Sequence, residues 1–155
     1  MKPTLGKKNK KYKQGIFSPQ NPGKYRGTLP IVYRSAMELK AFRMLDSNSN
    51  VISWGSESVI IPYILPLDGK LHRYFIDLVA LMKDKDGTEK KLLIEIKPAK
   101  FTLTPTQSPN KKPKTLLYEQ LQWVRNQAKW SAAELWAKSH GFIFFIMTEK
   151  DIVSR

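Results

Sequence analysis

The stretch from Leu71 to Pro98, LHRYFIDLVALMKDKDGTEKKLLIEIKP, places the tightest limits on what this chain can fold into. Two apolar runs, Arg73 to Met82 and Lys91 to Lys97, flank a loop containing Asp84, Asp86 and Gly87, which is the composition of a β-hairpin. Each run carries an acid that a strand does not need. Asp77 sits within Tyr-Phe-Ile-Asp-Leu-Val-Ala-Leu, and Glu95 sits between Ile94 and Ile96, with Lys97 two residues further on. Residues two apart in a strand share a face, so Glu95 and Lys97 point the same way. If the loop runs from Asp84 to Thr88, Lys83 pairs with Glu89 and Asp77 falls opposite Glu95. A longer loop of the same parity puts Asp77 opposite Lys97. Both registers gather the three residues on one face, whereas a one-residue slip scatters them.

Two carboxylates and an ammonium on a sheet surface can hold a divalent cation and polarise a water beside it. The plainer alternative is a salt bridge, in which Asp77 or Glu95 pairs with Lys97, Arg73 or a base from a helix. Some partner is required, because an unpaired carboxylate in an apolar strand costs several kcal/mol. The Glu-x-Lys pattern itself is cheap: 7 Glu and 21 Lys in 155 residues give about one match by chance. The chain has three, and only Glu95-Ile-Lys97 lies within an apolar strand; Glu38-Leu-Lys40 falls on a helix and Glu89-Lys-Lys91 at a loop edge.

A chain of 155 residues is one domain of ordinary size, able to bury a core without staples. The absence of cysteine removes disulfides, thiolate zinc sites and cysteine nucleophiles, and suits a reducing compartment. No apolar run approaches the ~18 residues of a membrane span, and the N-terminus has no apolar signal core. The expectation is a soluble, intracellular protein with no membrane partner. Against 13 acids stand 27 Lys and Arg, a net charge of +14 that makes nucleic acid the default partner. The excess is uneven. Met1 to Met37 carries nine bases and no acid, and Lys100 to Lys129 six bases against Glu119 alone.

Along the chain, residues 1–30 read as a basic arm rich in Pro and Gly, and 31–155 as the folded domain. Tyr12, Phe17 and Tyr25 are expected to anchor the arm rather than stack on bases. Ser35 and Glu38 have the spacing of a capping box at the start of a helix whose buried stripe is Leu39, Ala41, Phe42, Met44 and Leu45. Val51 to Trp54 and Ser58 to Leu65 read as short strands, the second placed near an edge by Pro62. Ala99 to Lys114 is a basic loop suited to DNA contact. Leu116 to Ser139 is a second helix with Leu117, Leu121, Val124, Ala128 and Leu135 at helical spacing and Trp123, Trp130 and Trp136 as core. Gly141 caps it, and apolar Phe142 to Met147 is expected inside the sheet. The order helix, three strands, helix, strand gives an α/β (α+β) domain, a mixed sheet flanked by helices.

A helix Glu, a strand Asp and then Glu-x-Lys after a hairpin resemble the PD-(D/E)xK nuclease superfamily, whose restriction-endonuclease-like core runs αβββαβ. The longer strings Ile31-Val32-Tyr33-Arg34-Ser35 with Glu38, Trp54-Gly55-Ser56-Glu57, His72-Arg73-Tyr74-Phe75 with Asp77, Ile94-Glu95-Ile96-Lys97-Pro98 and Asn126-Gln127-Ala128-Lys129-Trp130 resemble the tailed-phage head-completion proteins and are similar to TnsA-type transposon-end endonucleases. One departure is Ile76, where the superfamily pattern has Pro. The resemblance implies that Asp77 and Glu95, with the carbonyl of Ile96, hold Mg2+, with Mn2+ able to substitute. It implies that Lys97 orients the attacking water and stabilises developing charge, that Glu38 adds a carboxylate, and that Gln127 and Lys129 face the site. Hard oxygen ligands favour Mg2+ over zinc, and His72 and His140 are not at a ligand spacing. Duplex DNA would be gripped without sequence reading by Arg34, Arg73, Lys100, Lys111, Lys112, Lys114, Arg125 and Lys129. The expected setting is the host cytoplasm or the virion, with phage head or neck proteins as further partners. Two other classes stay open: a basic structural protein that keeps the fold without using it, and a non-catalytic RNA-binding protein.

Overall fold

The computed structural model describes residues 14–152, so Tyr12 and the lysine-rich stretch around it lie outside the described residues. The chain enters as β1 (Gly15–Phe17), which pairs antiparallel with β2 (Ile31–Tyr33). Phe17 and Tyr25 are both anchored in the core against Trp54, with ring centroids 6.0 and 4.9 Å from it. Ser35 then caps α1 (Ala36–Ser47), its hydroxyl accepting the Glu38 N–H at 3.0 Å. The Glu38 carboxylate turns back to the Arg34 N–H, one residue outside the usual capping box. Ala41, Phe42 and Leu45 are buried, and Leu39 and Met44 pack at the margin.

Asp46 in the last turn of α1 ties the entering segment down. Its carboxylate accepts the N–H groups of Gln20 and Asn21 at 2.8 and 3.0 Å, and its carbonyl takes Asn21 Nδ2 and Lys24 Nζ at 3.0 and 3.1 Å. Asp46 is 3% exposed, and its carboxylate and carbonyl together satisfy four donors of the entering segment. Asp46→Ala is therefore expected to cost about 2–3 kcal/mol. At roughly 2–4 °C per kcal/mol for a domain of this size, thermal unfolding should fall by about 4–12 °C.

The core sheet has the order β3-β6-β7-β8, built from β3 (Val51–Ser56), β6 (Leu78–Lys83), β7 (Glu89–Ile96) and β8 (Phe142–Met147). Strands β3, β6 and β7 run antiparallel, and β8 joins β7 in parallel. Between β3 and β6 the chain forms a separate two-stranded ribbon of β4 (Ile60–Leu65) and β5 (Lys70–Phe75). In the ribbon Pro62 stands opposite Arg73, where no further strand needs its missing N–H. The second helix, α2 (Pro113–His140), starts three residues earlier than expected, with Pro113 at the first helical position, and ends on left-handed Gly141 at φ 74°. Alternation on β7 divides the core: Ile94 packs with α1, while Leu93 packs with α2 and the ribbon. No helix of the described residues is long and apolar enough to cross a membrane.

Three expectations are corrected. Arg73 to Met82 is not one strand, because the chain breaks at Ile76 and Asp77 and its two halves pair with different partners. Phe142 to Met147 is the sheet's edge rather than its interior; Phe142, Phe144 and Ile146 pack on the α2 side and Met147 joins the α1 core, while Ile143 and Phe145 are exposed. The buried stripe of α2 is Asn126, Trp130, Ala133 and Ala137, while Leu117, Leu121 and Leu135 are exposed. Alanines let the helix approach the ribbon and β8 closely, which larger leucines would prevent.

Candidate active site

Strand register places the site at one end of the core sheet. Lys83 pairs with Glu89, the first of the two expected registers, but ladder pairing stops at Leu78 with Ile94, one step before Asp77. On β7 the Lys97 N–H points to β8, meeting the Met147 carbonyl at 3.0 Å, so the Ile96 N–H points to the side that β6 has vacated. Asp77 Oδ2 fills that gap, accepting the Ile96 N–H at 2.8 Å. The break thus converts a strand residue into a side-chain partner, and Oδ1 takes no hydrogen bond from a described residue.

Asp77 and Ile96 line a cleft on the α1 side together with Val32, Arg34, Glu38, Phe42, Ser56 and Glu57. Across the sheet end, Glu95 is buried on the side of α2, with Tyr74 Oη donating to Oε2 and Lys97 Nζ 3.7 Å from Oε1. Lys129, from α2, lies 5.2 Å over the Tyr74 ring. Burial pushes the proton affinity of Asp77 well up and the negative charges of Glu95 and Glu38 push it further, against the Ile96 N–H and Lys97. Glu95 is also raised by burial, opposed by Tyr74, Lys97 and Lys129. Glu38 is raised for the same first reason, with Arg34 opposing and Glu57 and Glu95 adding. Tyr74 is held firmly protonated by burial and the adjacent Glu95, so it acts as a donor. Lys129 is lowered by burial, while Glu95 pulls it back.

These residues make an under-compensated pocket of negative charge beside a lysine. Among the described residues no three histidines or acids lie close enough together to hold a metal ion. Asp77, Glu95 and the Ile96 carbonyl still supply hard oxygens, which fits a cation that keeps several of its waters and takes one or two carboxylates from protein.

The model of the TnsA-like endonuclease N-terminal domain matches residues 48–149. The chain belongs to the TnsA-like endonuclease family. It is similar to the head completion nuclease of Enterobacteria phage T4, at 41% identity over 139 residues that cover 87% of this chain and 90% of that protein. The restriction-endonuclease-like reading of the fold agrees with this membership and with the mixed sheet between two helices.

Within this TnsA-like chain, Asp77, Glu95 and Lys97 fall inside the matched residues, and Arg34 and Glu38 come before them. Arg125 and Lys129, four apart on α2, share one electrostatic neighbourhood with Glu95 and Lys97. Gln127 does not join them: residues two apart on a helix diverge by roughly 200°, and Gln127 is exposed with no hydrogen bond to a described residue. Lys111 is committed elsewhere, to Glu119 at 3.0 Å. Lys112 and Lys114 flank the start of α2, Lys100 lies against Phe101, and Arg73 lies against Phe75 on the outer face of the ribbon.

The residue that sequence reading missed is Tyr74. It lies on the ribbon rather than on the hairpin of Asp77 and Glu95, so no register links it to Glu95, and only an aromatic near Asp77 hints at it. Glu57 lines the same cleft. Its Oε1 receives Arg34 Nη1 at 2.6 Å and its backbone is left-handed at φ 52°. With side chains 47% and 45% exposed, such an ion pair contributes ~0–1 kcal/mol, whereas a left-handed non-glycine residue costs ~1–3 kcal/mol.

Proposed function

We propose that the chain is a divalent-metal-dependent DNA endonuclease that hydrolyses phosphodiester bonds in phage head completion, after DNA packaging. The observation that carries this reading is the pair of mutually repelling carboxylates, half-buried Asp77 and buried Glu95, beside Lys97 at the open end of the sheet. Asp77, Glu95 and the Ile96 carbonyl would hold Mg2+, or Mn2+ in its place, with Glu38 reaching the same cleft. When bound, the cation supplies positive charge for the phosphate oxygens and for the water that attacks. Lys97 orients that water and meets the charge developing on the phosphate. Tyr74 holds the Glu95 carboxylate by its hydrogen bond, and the charge of Lys129 lies nearby. Lys112 and Lys114 sit where a helix dipole disfavours cations, so backbone phosphates there would relieve them, and Lys100, Arg73 and Arg125 extend the grip. The name of the phage T4 relative supports the head-completion setting, and on that reading the protein would act in the host cytoplasm or on the virion.

A non-catalytic structural role on the same fold is favoured by one observation, the lack of a three-ligand acidic group among the described residues. Metal removal separates the two. Incubated with linear and circular duplex DNA, the protein should cut in Mg2+ or Mn2+ and stop in excess chelator, while binding persists. Binding without cutting in any divalent metal would leave the structural role standing.

A further inference from the structure

We propose that Glu57 is a positioning residue, holding the Arg34 guanidinium at the cleft so that it receives a backbone phosphate of duplex DNA; this rests on the DNA-binding part of the proposed function. Glu57 is fixed before its side chain makes any contact. It is the one non-glycine residue with positive φ among the described residues, and its N–H donates to the Asp77 carbonyl at 3.1 Å. The carboxylate that takes Arg34 is thereby tied to the backbone of the residue whose own carboxylate lines the cleft. Arg34 is held at its other end too, because its backbone N–H donates to Glu38. Two acids of the cleft therefore set both the root and the tip of one arginine.

A guanidinium carries five N–H donors in a rigid fork that matches phosphate. Glu57 engages Nη1 alone, and the rest of the fork has no hydrogen bond to a described residue on a half-exposed side chain. Arg34 is also the only cation among the residues lining the cleft, against Glu38, Glu57 and Asp77. A phosphate brought to Asp77 has to pass these acids, and Arg34 is the group that can receive it. As a stabilising surface pair the arrangement makes little sense, since a strained backbone supports a contact that solvent weakens. As a device for aiming one edge of a guanidinium it does make sense.

The test uses the full chain and a short duplex in chelator, so that binding is read without cutting. Arg34→Ala should weaken binding about 3- to 10-fold and reduce the slope of log affinity against log salt by about 0.9. Positioning and plain charge then predict opposite signs for Glu57. Removing an acid near phosphate should by charge alone tighten binding. If Glu57 aims Arg34, Glu57→Ala and Glu57→Gly should weaken it and flatten the slope as Arg34→Ala does, with no further loss in the double variant. Glu57→Gly keeps the left-handed backbone available, so a folding defect cannot mimic the result. Unchanged or tighter binding by both Glu57 variants, or additive losses, would overturn the proposal while leaving the endonuclease reading intact. A wild type that binds but never cuts would remove that reading and leave this one standing.

Discussion

Asp77→Asn is expected to abolish cutting, by at least about a thousandfold, and at the same time to make the metal-free protein more stable. Asparagine keeps an oxygen for the Ile96 N–H, removes the charge and puts an NH2 in place of the other oxygen, which takes no hydrogen bond from a described residue. That charge is opposed by burial and by Glu95 and Glu38. Relief of about 1–3 kcal/mol corresponds to several degrees in thermal unfolding. The sign with pH follows from linkage. A carboxyl whose proton affinity is raised by folding binds more protons folded than unfolded, so its charge erodes stability as pH rises above the ordinary aspartate value of 3.8. Wild type and variant should therefore melt together in strong acid and separate as pH rises. Adding Mg2+ should raise the wild type and leave the variant nearly unmoved. If Asp77→Asn melts lower at neutral pH, Asp77 is serving a structural ion pair and the plain salt-bridge alternative is right.

The hairpin was legible to within two registers of the same parity, both of which put Asp77, Glu95 and Lys97 on one face, and the structure takes the one with Lys83 opposite Glu89. The strand break at Ile76 and Asp77 was not legible, since the one residue there that departs from strand chemistry, Asp77, reads equally well as a site acid carried on an unbroken strand. The break comes from the ribbon, whose β5 needs β4 rather than β7 as its partner. It moved Asp77 out of the ladder and onto the Ile96 N–H, so the two acids approach around the end of the sheet instead of side by side on one face. On α2 the positions of Trp130 and of the base Lys129 were readable, but the burying face was not. A helix with apolar letters on two faces does not disclose which one meets the sheet, and small Ala133 and Ala137 won over Leu117, Leu121 and Leu135 because they permit a closer approach. The link between Arg34 and Glu57 depends on a left-handed residue at 57, and Glu is not a residue in which sequence announces that conformation.

Lys97→Ala is expected to lower cutting about a hundred- to a thousandfold, the usual loss on removing one donor aimed at developing charge, with duplex binding nearly retained. Lys97 is only about a quarter exposed, its N–H is fixed to the Met147 carbonyl, and its ammonium stands 3.7 Å from Glu95. At that distance it is a weak ion-pair partner and a well-placed charge for something between it and Asp77. Binding in chelator should lose no more than one contact's worth of salt dependence, a slope change of about 0.9 or less. Lys97→Arg should not restore cutting, because a planar fork does not put its charge where a compact ammonium does beside a Glu95 already engaged by Tyr74. Parallel losses of cutting and binding would make Lys97 a DNA contact only. If instead it served just to neutralise Glu95, the substitution would show in thermal unfolding and not in the ratio of cutting to binding.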